Sequence, residues 1–195
     1  GVCYRLWTEG EQQSRPRRMM PEILETDLCS LVLTSAAWGA LGREDLPWMT
    51  PPAASLWDQA VGLLKILGAL DGSGRLTAKG QAMAKLPMHP RLANMMMGRF
   101  EKFERFEKFE KCALLAAIIE EGSKSRETDI RKILDEVVEV PSEPFSRRIR
   151  QLASRFQTSR TSQTSRTFRT FSEGSALALA YPDRVAKNRG NGTFR

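Results

Sequence analysis

The sequence predicts a mainly α fold, a winged helix followed by a helical bundle. Three observations carry this. Apolar residues recur at helical spacing, as in Leu56, Ala60, Leu63, Leu64 and Leu67, in Ile130, Ile133, Leu134, Val137 and Val138, and in Phe145, Ile149, Leu152 and Phe156. At the ends, Gly1–Trp7 alternates as a strand does and Val185–Arg195 reads as a first strand of a cut-off barrel. Between them, Leu63 to Leu92 reads as a helix ending near Gly68, a short strand, a turn at Asp71-Gly72-Ser73-Gly74, a return strand Arg75-Leu76, and a helix behind Thr77 that Pro87 and Pro90 stop. A helix, a two-stranded ribbon and a second helix make the tail of a winged helix.

The elements follow in order. Val2, Tyr4 and Leu6 alternate with Cys3 and Arg5, a strand pattern. Glu9–Arg18 is polar, ends in Arg15, Arg17 and Arg18, and reads as an exposed linker. Pro21–Trp38 reads as one helix, with acids in its first turns, a face of Leu24, Leu28, Leu31, Ser35 and Trp38, and Gly39 as its stop. Leu46–Pro52 is a proline-bounded turn. Leu56–Leu70 stands where a DNA-reading winged helix has its recognition helix. It offers Gln59 and Lys65 and little else to bases or phosphates, so it reads as a packing element.

Met88–Met97 opens a further apolar helix whose consecutive methionines read as core filling ahead of an adaptable groove. Phe100–Lys111 repeats Phe-Glu-Lys/Arg with period three, so its rings drift about 60° per step around a helix and leave at least one exposed. Cys112–Glu121 reads as a buried helix, Gly122–Ser125 as a loop, and Pro141 ends the helix of Ile130–Val138. Thr158–Phe171 is a Ser/Thr-rich low-complexity tract, expected as a loop. Gly174–Ala180 returns to helix and Tyr181-Pro182-Asp183 breaks it.

The net charge is +7, unevenly placed. From Arg147 onward there are eleven Lys and Arg against two Asp and Glu; before it, 19 against 21. Such asymmetry marks a polyanion surface or a solvated basic tail. On the helix after Pro144, Arg147, Arg148, Arg150 and Arg155 surround the apolar stripe, and guanidinium forks match phosphate oxygens. The alternative is a basic helix packed on an acidic neighbour such as Asp135, Glu136 or Glu139.

Several motifs resemble the helicase-associated region of DEAH-type helicases, most like the bacterial HrpB type. They are Leu67-Gly68-Ala69-Leu70-Asp71, Leu76-Thr77 with Lys79-Gly80, Leu86-Pro87, and His89-Pro90-Arg91-Leu92-Ala93. Gly1–Thr8 is similar to the strand after the last helicase motif, Pro21–Asp27 to the start of the family's winged helix, and Leu177–Arg189 to the entry of its oligonucleotide-binding fold. The resemblance implies the end of a second motor domain and linker at 1–19, a winged helix at 20–86, a ratchet-like helical domain at 87–180, and the first strand of a truncated OB-like fold at 181–195. It implies an accessory segment that closes over single-stranded nucleic acid, RNA ahead of DNA, while motor domains elsewhere in the chain use ATP and Mg²⁺. Arg147, Arg148, Arg150, Arg155, Lys187 and Arg189 are then the expected phosphate-facing residues. Both ends fall in strand-like sequence, as expected of a segment of a longer protein.

Much chemistry is excluded. No GxxxxGK[ST] phosphate cradle and no GxSxG elbow occur, so the chain alone is not expected to hydrolyse ATP and no catalytic residue is assigned. Cys3, Cys29 and Cys112 are scattered, which argues against disulfides and fits a cytoplasmic setting. With a single histidine, His89, and no clustered ligands along the sequence, no metal site is expected. No signal peptide and no membrane span are read. Two other functions remain: a stand-alone winged-helix regulator, which would prefer one duplex sequence, and a protein-interaction bundle indifferent to loss of its arginines.

Overall fold

A single carboxylate shapes the turn at the centre of the first half. Asp71 Oδ1 accepts the N–H groups of Ser73 (2.8 Å) and Arg75 (2.9 Å) and the Ser73 hydroxyl (2.7 Å). The chain therefore reverses within a few residues, and Gly74 (φ +85°) completes the reversal. In the computed structural model of the chain the described residues are 1–15, 19–98, 105–122, 129–157 and 172–186, without the side chains of 105–110 and 156–157. Among them the expected ribbon is reduced to one antiparallel bridge, Leu70 to Leu76. The cause is length: Thr77 already caps the next helix, leaving only Arg75 and Leu76 to pair.

The other regular structure among the described residues is helical. α1 is Glu9–Ser14, α2 Cys29–Ala37, α3 Ala54–Ile66, α4 Ala78–Met83, α5 Pro90–Met96, α6 Arg105–Glu121, α7 Ile130–Glu139, α8 Pro144–Gln157 and α9 Glu173–Ala180.

The single helix expected over Pro21–Trp38 is divided into a 3-10 turn, Glu22–Leu24, and α2. Side chains that compete for the backbone explain the break. Thr26 Oγ1 donates to Glu22 O (3.0 Å), and Asp27 Oδ1 accepts the Cys29 N–H (2.7 Å). Restarting at Cys29 changes the buried face to Leu28, Cys29, Val32, Leu33, Ser35 and Ala36, and leaves Trp38 80% exposed.

α3 buries Trp57, Ala60, Leu63 and Leu64, and Trp48 packs edge-on to Trp57 with centroids 6.2 Å apart. Thr77 caps α4 by accepting the Gly80 N–H (3.0 Å). α4 lies against the α3–turn segment so closely that a Cβ on Gly80 would stand 2.1 Å from Ala69 O. Pro90 does not stop a helix as expected; it is the first residue of α5, where its missing N–H costs nothing, and His89 is the cap. α2, α3, the turn and α4 enclose a first core that takes in Ala93 of α5.

The second core is built around α6, whose Cys112–Ile118 run is buried on every side. α6 packs chiefly on α8, and α5 on α9. α7 contributes Ile133, Leu134 and Val137, whereas Val138, placed in the stripe by spacing, is 44% exposed. α8 contributes Ile149 and Ala153, with Phe145 and Leu152 half-buried. Met95 and Met96 are buried here, as core filling requires. Ser172 caps α9 by accepting the Ser175 N–H (3.1 Å).

The ends differ from expectation. Gly1–Trp7 is not a strand; Val2, Tyr4 and Leu6 are 82%, 83% and 93% exposed. Alternation makes a strand only where a neighbour completes its hydrogen bonds, and no described residue does so. The linker contains α1, held by a capping box in which Glu11 N–H donates to Thr8 Oγ1 (3.3 Å) and Thr8 N–H to the Glu11 carboxylate (2.8 Å). α1 buries no side chain. Pro182–Arg184 is a 3-10 turn and Val185 is 62% exposed. Most of the expected OB-like strand, the tract at 158–171, most of the Gly122–Ser125 loop and the phenylalanine side chains of the period-three repeat lie outside the described residues.

Gly80→Ala is expected to lower stability by about 1–3 kcal/mol, the usual cost of overpacking. Gly62, on α3 with open space at its Cβ position, is the control. Its replacement by Ala is expected to be neutral or to stabilise by up to about 1 kcal/mol. Urea unfolding of both variants measures the contrast.

Candidate nucleic-acid interface

α8 is amphipathic with a narrow apolar stripe, so most of its circumference is left to arginines. They have different neighbours. Arg150 turns inward: Nε and Nη2 donate to Val137 O (3.3 and 3.1 Å), and Nη2 also to Val138 O (3.3 Å). It thereby satisfies carbonyls at the end of α7 that the helix itself leaves without partners. Arg148 pairs with Glu121 of α6 (2.9 Å), its side chain 64% exposed. The acidic neighbour is thus on α6 and not on α7. Arg155 is exposed and acts electrostatically on the partly buried Glu120, whose carboxyl burial pushes up while His89 and Arg155 pull it down. Arg147 is exposed, and its guanidinium has no partner among the described residues. Lys187 and Arg189 lie outside them.

A second constellation, not anticipated from sequence, gathers at the start of α5. His89 Nδ1 accepts the Arg91 N–H (3.2 Å), while Nε2 faces Asp27 Oδ1 (3.4 Å), 62 positions away in sequence. Arg91 reaches the end of α9: Nη1 donates to Ala180 O (3.2 Å), Nη2 to Asp183 Oδ2 (3.0 Å), and the guanidinium lies over the Tyr181 ring at 5.0 Å. Asn94 Nδ2 donates to Leu179 O (2.6 Å). Beside this corner is a cavity of about 370 Å³ lined by Asp27, Cys29, Gln59, Leu63, Arg91 and others.

The corner perturbs its titratable groups. Hydrogen bonds from Arg91 hold the Asp183 carboxyl below the usual carboxylate range. For Asp27 burial acts upward, but the Cys29 N–H and side chain together with His89 outweigh it, so the net shift is downward. Burial, aided by Asp27, pushes the Cys29 thiol up to about 12. The signal in the sequence was His-Pro-Arg at a helix start and a lone Asn in an apolar helix. Neither names its partner.

Residues 60–88 match the family described as helicase associated domain (HA2), winged-helix. The chain is 29% identical to the ATP-dependent RNA helicase HrpB of Escherichia coli (strain K12) over 191 residues, 97% of this chain and 22% of that protein. It is 38% identical to the ATP-dependent RNA helicase HrpA homolog of Haemophilus influenzae over 104 residues, 50% of this chain and 8% of that one. Two crystal structures of E. coli HrpB, described as a DExH-box NTPase and as a DEAH/RHA helicase, superpose with TM-scores of 0.64 and 0.66 at 28% identity. Each likeness covers 96% of this chain and 22% of the solved one. Among the described residues no helix is long and apolar enough to cross a membrane.

Asp183→Asn is expected to cost about 1–2 kcal/mol at pH 7, the scale of a charge-assisted hydrogen bond that solvent partly reaches. A carboxyl held low in the folded state stabilises above its unfolded pKa, near 3.9, and that contribution is lost as pH falls through the folded value. The gap between variant and wild type should therefore close below about pH 4. Unfolding measured from pH 7 to pH 2.5 tests it. Arg150→Ala should cost a similar amount, about 1–2 kcal/mol, since it leaves half-buried carbonyls without a donor.

Proposed function

Because the chain carries the HA2 winged-helix region of a DEAH/RHA helicase and is similar to HrpB over nearly its whole length, we propose that it holds single-stranded nucleic acid, RNA ahead of DNA, for motor domains that hydrolyse ATP with Mg²⁺. Its own residues carry no step of that hydrolysis. The winged helix, 20–86, packs and positions; the ratchet-like bundle, 87–180, carries the grip; 1–19 joins the motor and 181–195 opens an OB-like fold. The meeting of the two apolar cores at Met88 and α5 supports a boundary near residue 87.

The observation that carries this reading is the outward arginine row of α8. Arg147 is free among the described residues and Arg148 is largely exposed. These two and Arg155, with Lys187 and Arg189, are the phosphate-facing groups. Arg150, by contrast, braces the helix from inside. That the HrpB and HrpA-type relatives are RNA helicases supports RNA as the strand. Lys65 is engaged on Gly72 O (3.0 Å), which leaves α3 little with which to read a duplex.

Fluorescence anisotropy with a labelled oligouridylate tests the grip. Replacing Arg147 and Arg148 by Ala should weaken binding about tenfold at moderate salt. It should also lower the slope of log affinity against log salt by about 1.4, two contacts at about 0.7 each. Unchanged affinity and slope would identify a protein-interaction bundle. Tighter binding to one duplex sequence than to any single strand would identify a regulator.

A further inference from the structure

We infer that Asp27, Cys29 and His89 form a binding site for one divalent cation of the Zn²⁺ class, its remaining coordination position open to the adjoining cavity. The three side chains offer a carboxylate oxygen, a thiol sulfur and an imidazole nitrogen, and these ligand atoms all lie within 4.8 Å of one another. That mixed O, S and N set suits Zn²⁺ and its neighbours and is foreign to Mg²⁺ or Ca²⁺.

Spacing supports the assignment. Bonds of about 2.3 Å to sulfur and about 2.0 Å to nitrogen or oxygen, in a tetrahedron, put ligand atoms roughly 3.3–3.6 Å apart. The Asp27–His89 edge is already 3.4 Å. The other two edges, at most 4.8 Å, need up to about 1.3 Å of contraction, within side-chain rotation. Access is graded in the right way: Asp27 and His89 are 59% and 30% exposed, while Cys29, 3% exposed, sits beneath them. The cavity beside them, lined also by Thr26 and Gln59, has room for a water as the fourth ligand.

Charges of both signs flank the ligands. Glu120 stands near enough to His89 to act on it electrostatically. Arg91, paired with Asp183, also acts on Cys29. The protons balance: the incoming ion replaces the Cys29 thiol proton, which goes to solvent, and takes the Nε2 lone pair of His89. The imidazole proton is then held at Nδ1, which gives up the 3.2 Å bond from the Arg91 N–H. Binding therefore reports at the first turn of α5. This site was hidden in the sequence because His89 and Asp27 stand 62 positions apart.

Co²⁺ is the probe, titrated into the full 195-residue chain freed of metal and carrying Cys3→Ser, so that the exposed thiol does not compete. The expected result is a near-ultraviolet thiolate-to-cobalt band that saturates at one equivalent, is bleached by Zn²⁺, and shifts the Arg91 amide resonance. Cys29→Ser should remove the band. His89→Gln and Asp27→Asn should each weaken binding more than about tenfold, beyond what loss of an outer-shell partner gives at its mildest. Should Cys29→Ser fail to fold, judged by circular dichroism, the partly exposed His89→Gln decides alone. Absence of the band, a band surviving Cys29→Ser, or affinity unchanged in His89→Gln overturns the site.

Discussion

One short helix belongs to two cores, and most of the fold follows from how it is held. α5 sends Leu92, Met95 and Met96 into the second core and Ala93 into the first. A seven-residue helix is too short to be stable on its own propensity. It is held by its first turn: Pro90 presets the backbone, His89 caps it and faces Asp27, and Arg91 and Asn94 satisfy the carbonyls at the end of α9. Asn94 is 7% exposed, so its bond to Leu179 O matters twice, since a buried amide without a partner costs more than the bond itself contributes. Winged helix, α5 and α9 are thus fixed to one another by polar contacts at a single corner, while apolar packing only presses them together.

Counting charge overstates the positive surface of α8. Arg150 serves carbonyls of α7, and turning its guanidinium to a phosphate would leave them without donors. Arg148 is in another position. Its own side chain is 64% exposed, but that of Glu121 is only 15% exposed, so a phosphate that draws Arg148 away leaves a largely buried carboxylate without its partner. The helix divides its arginines by depth: Arg150 braces α7, Arg148 is tied to Glu121, and Arg147 is exposed with no partner among the described residues.

Local signals were legible in the sequence and distant ones were not. Thr77 capping, Gly39 stopping α2, and the stripes of α3, α7 and α8 depend on neighbours within a turn or two, and periodicity reports them. The stripe of α7 erred only at its edge, at Val138. The break at Asp27 was missed because a helix and a helix interrupted by an Asx cap share nearly the same apolar spacing. The strand at Gly1–Trp7 was misread because alternation states a preference that only a second strand can realise. Residue type marked the arginines of α8 as a candidate surface. It could not tell Arg150 from Arg147, which differ in what the fold sets against them. The corner of Asp27, His89, Arg91 and Asp183 was invisible for the same reason.

The two halves present their cations differently. In the first half the helix best placed to enter a groove, α3, turns Trp57, Ala60, Leu63 and Leu64 inward. Its outward side offers Asp58, which repels phosphate, the neutral Gln59, and a lysine bonded to the turn. Counterion release needs free cations, and this face has almost none. In the second half α6 is enclosed, and α8 carries arginines on its outer side while Ile149 and Ala153 keep it in the core. The first half is closely packed where it nears α5: a Cβ on Gly80 would stand 2.1 Å from Ala69 O, so α4 meets that segment only because residue 80 has no side chain.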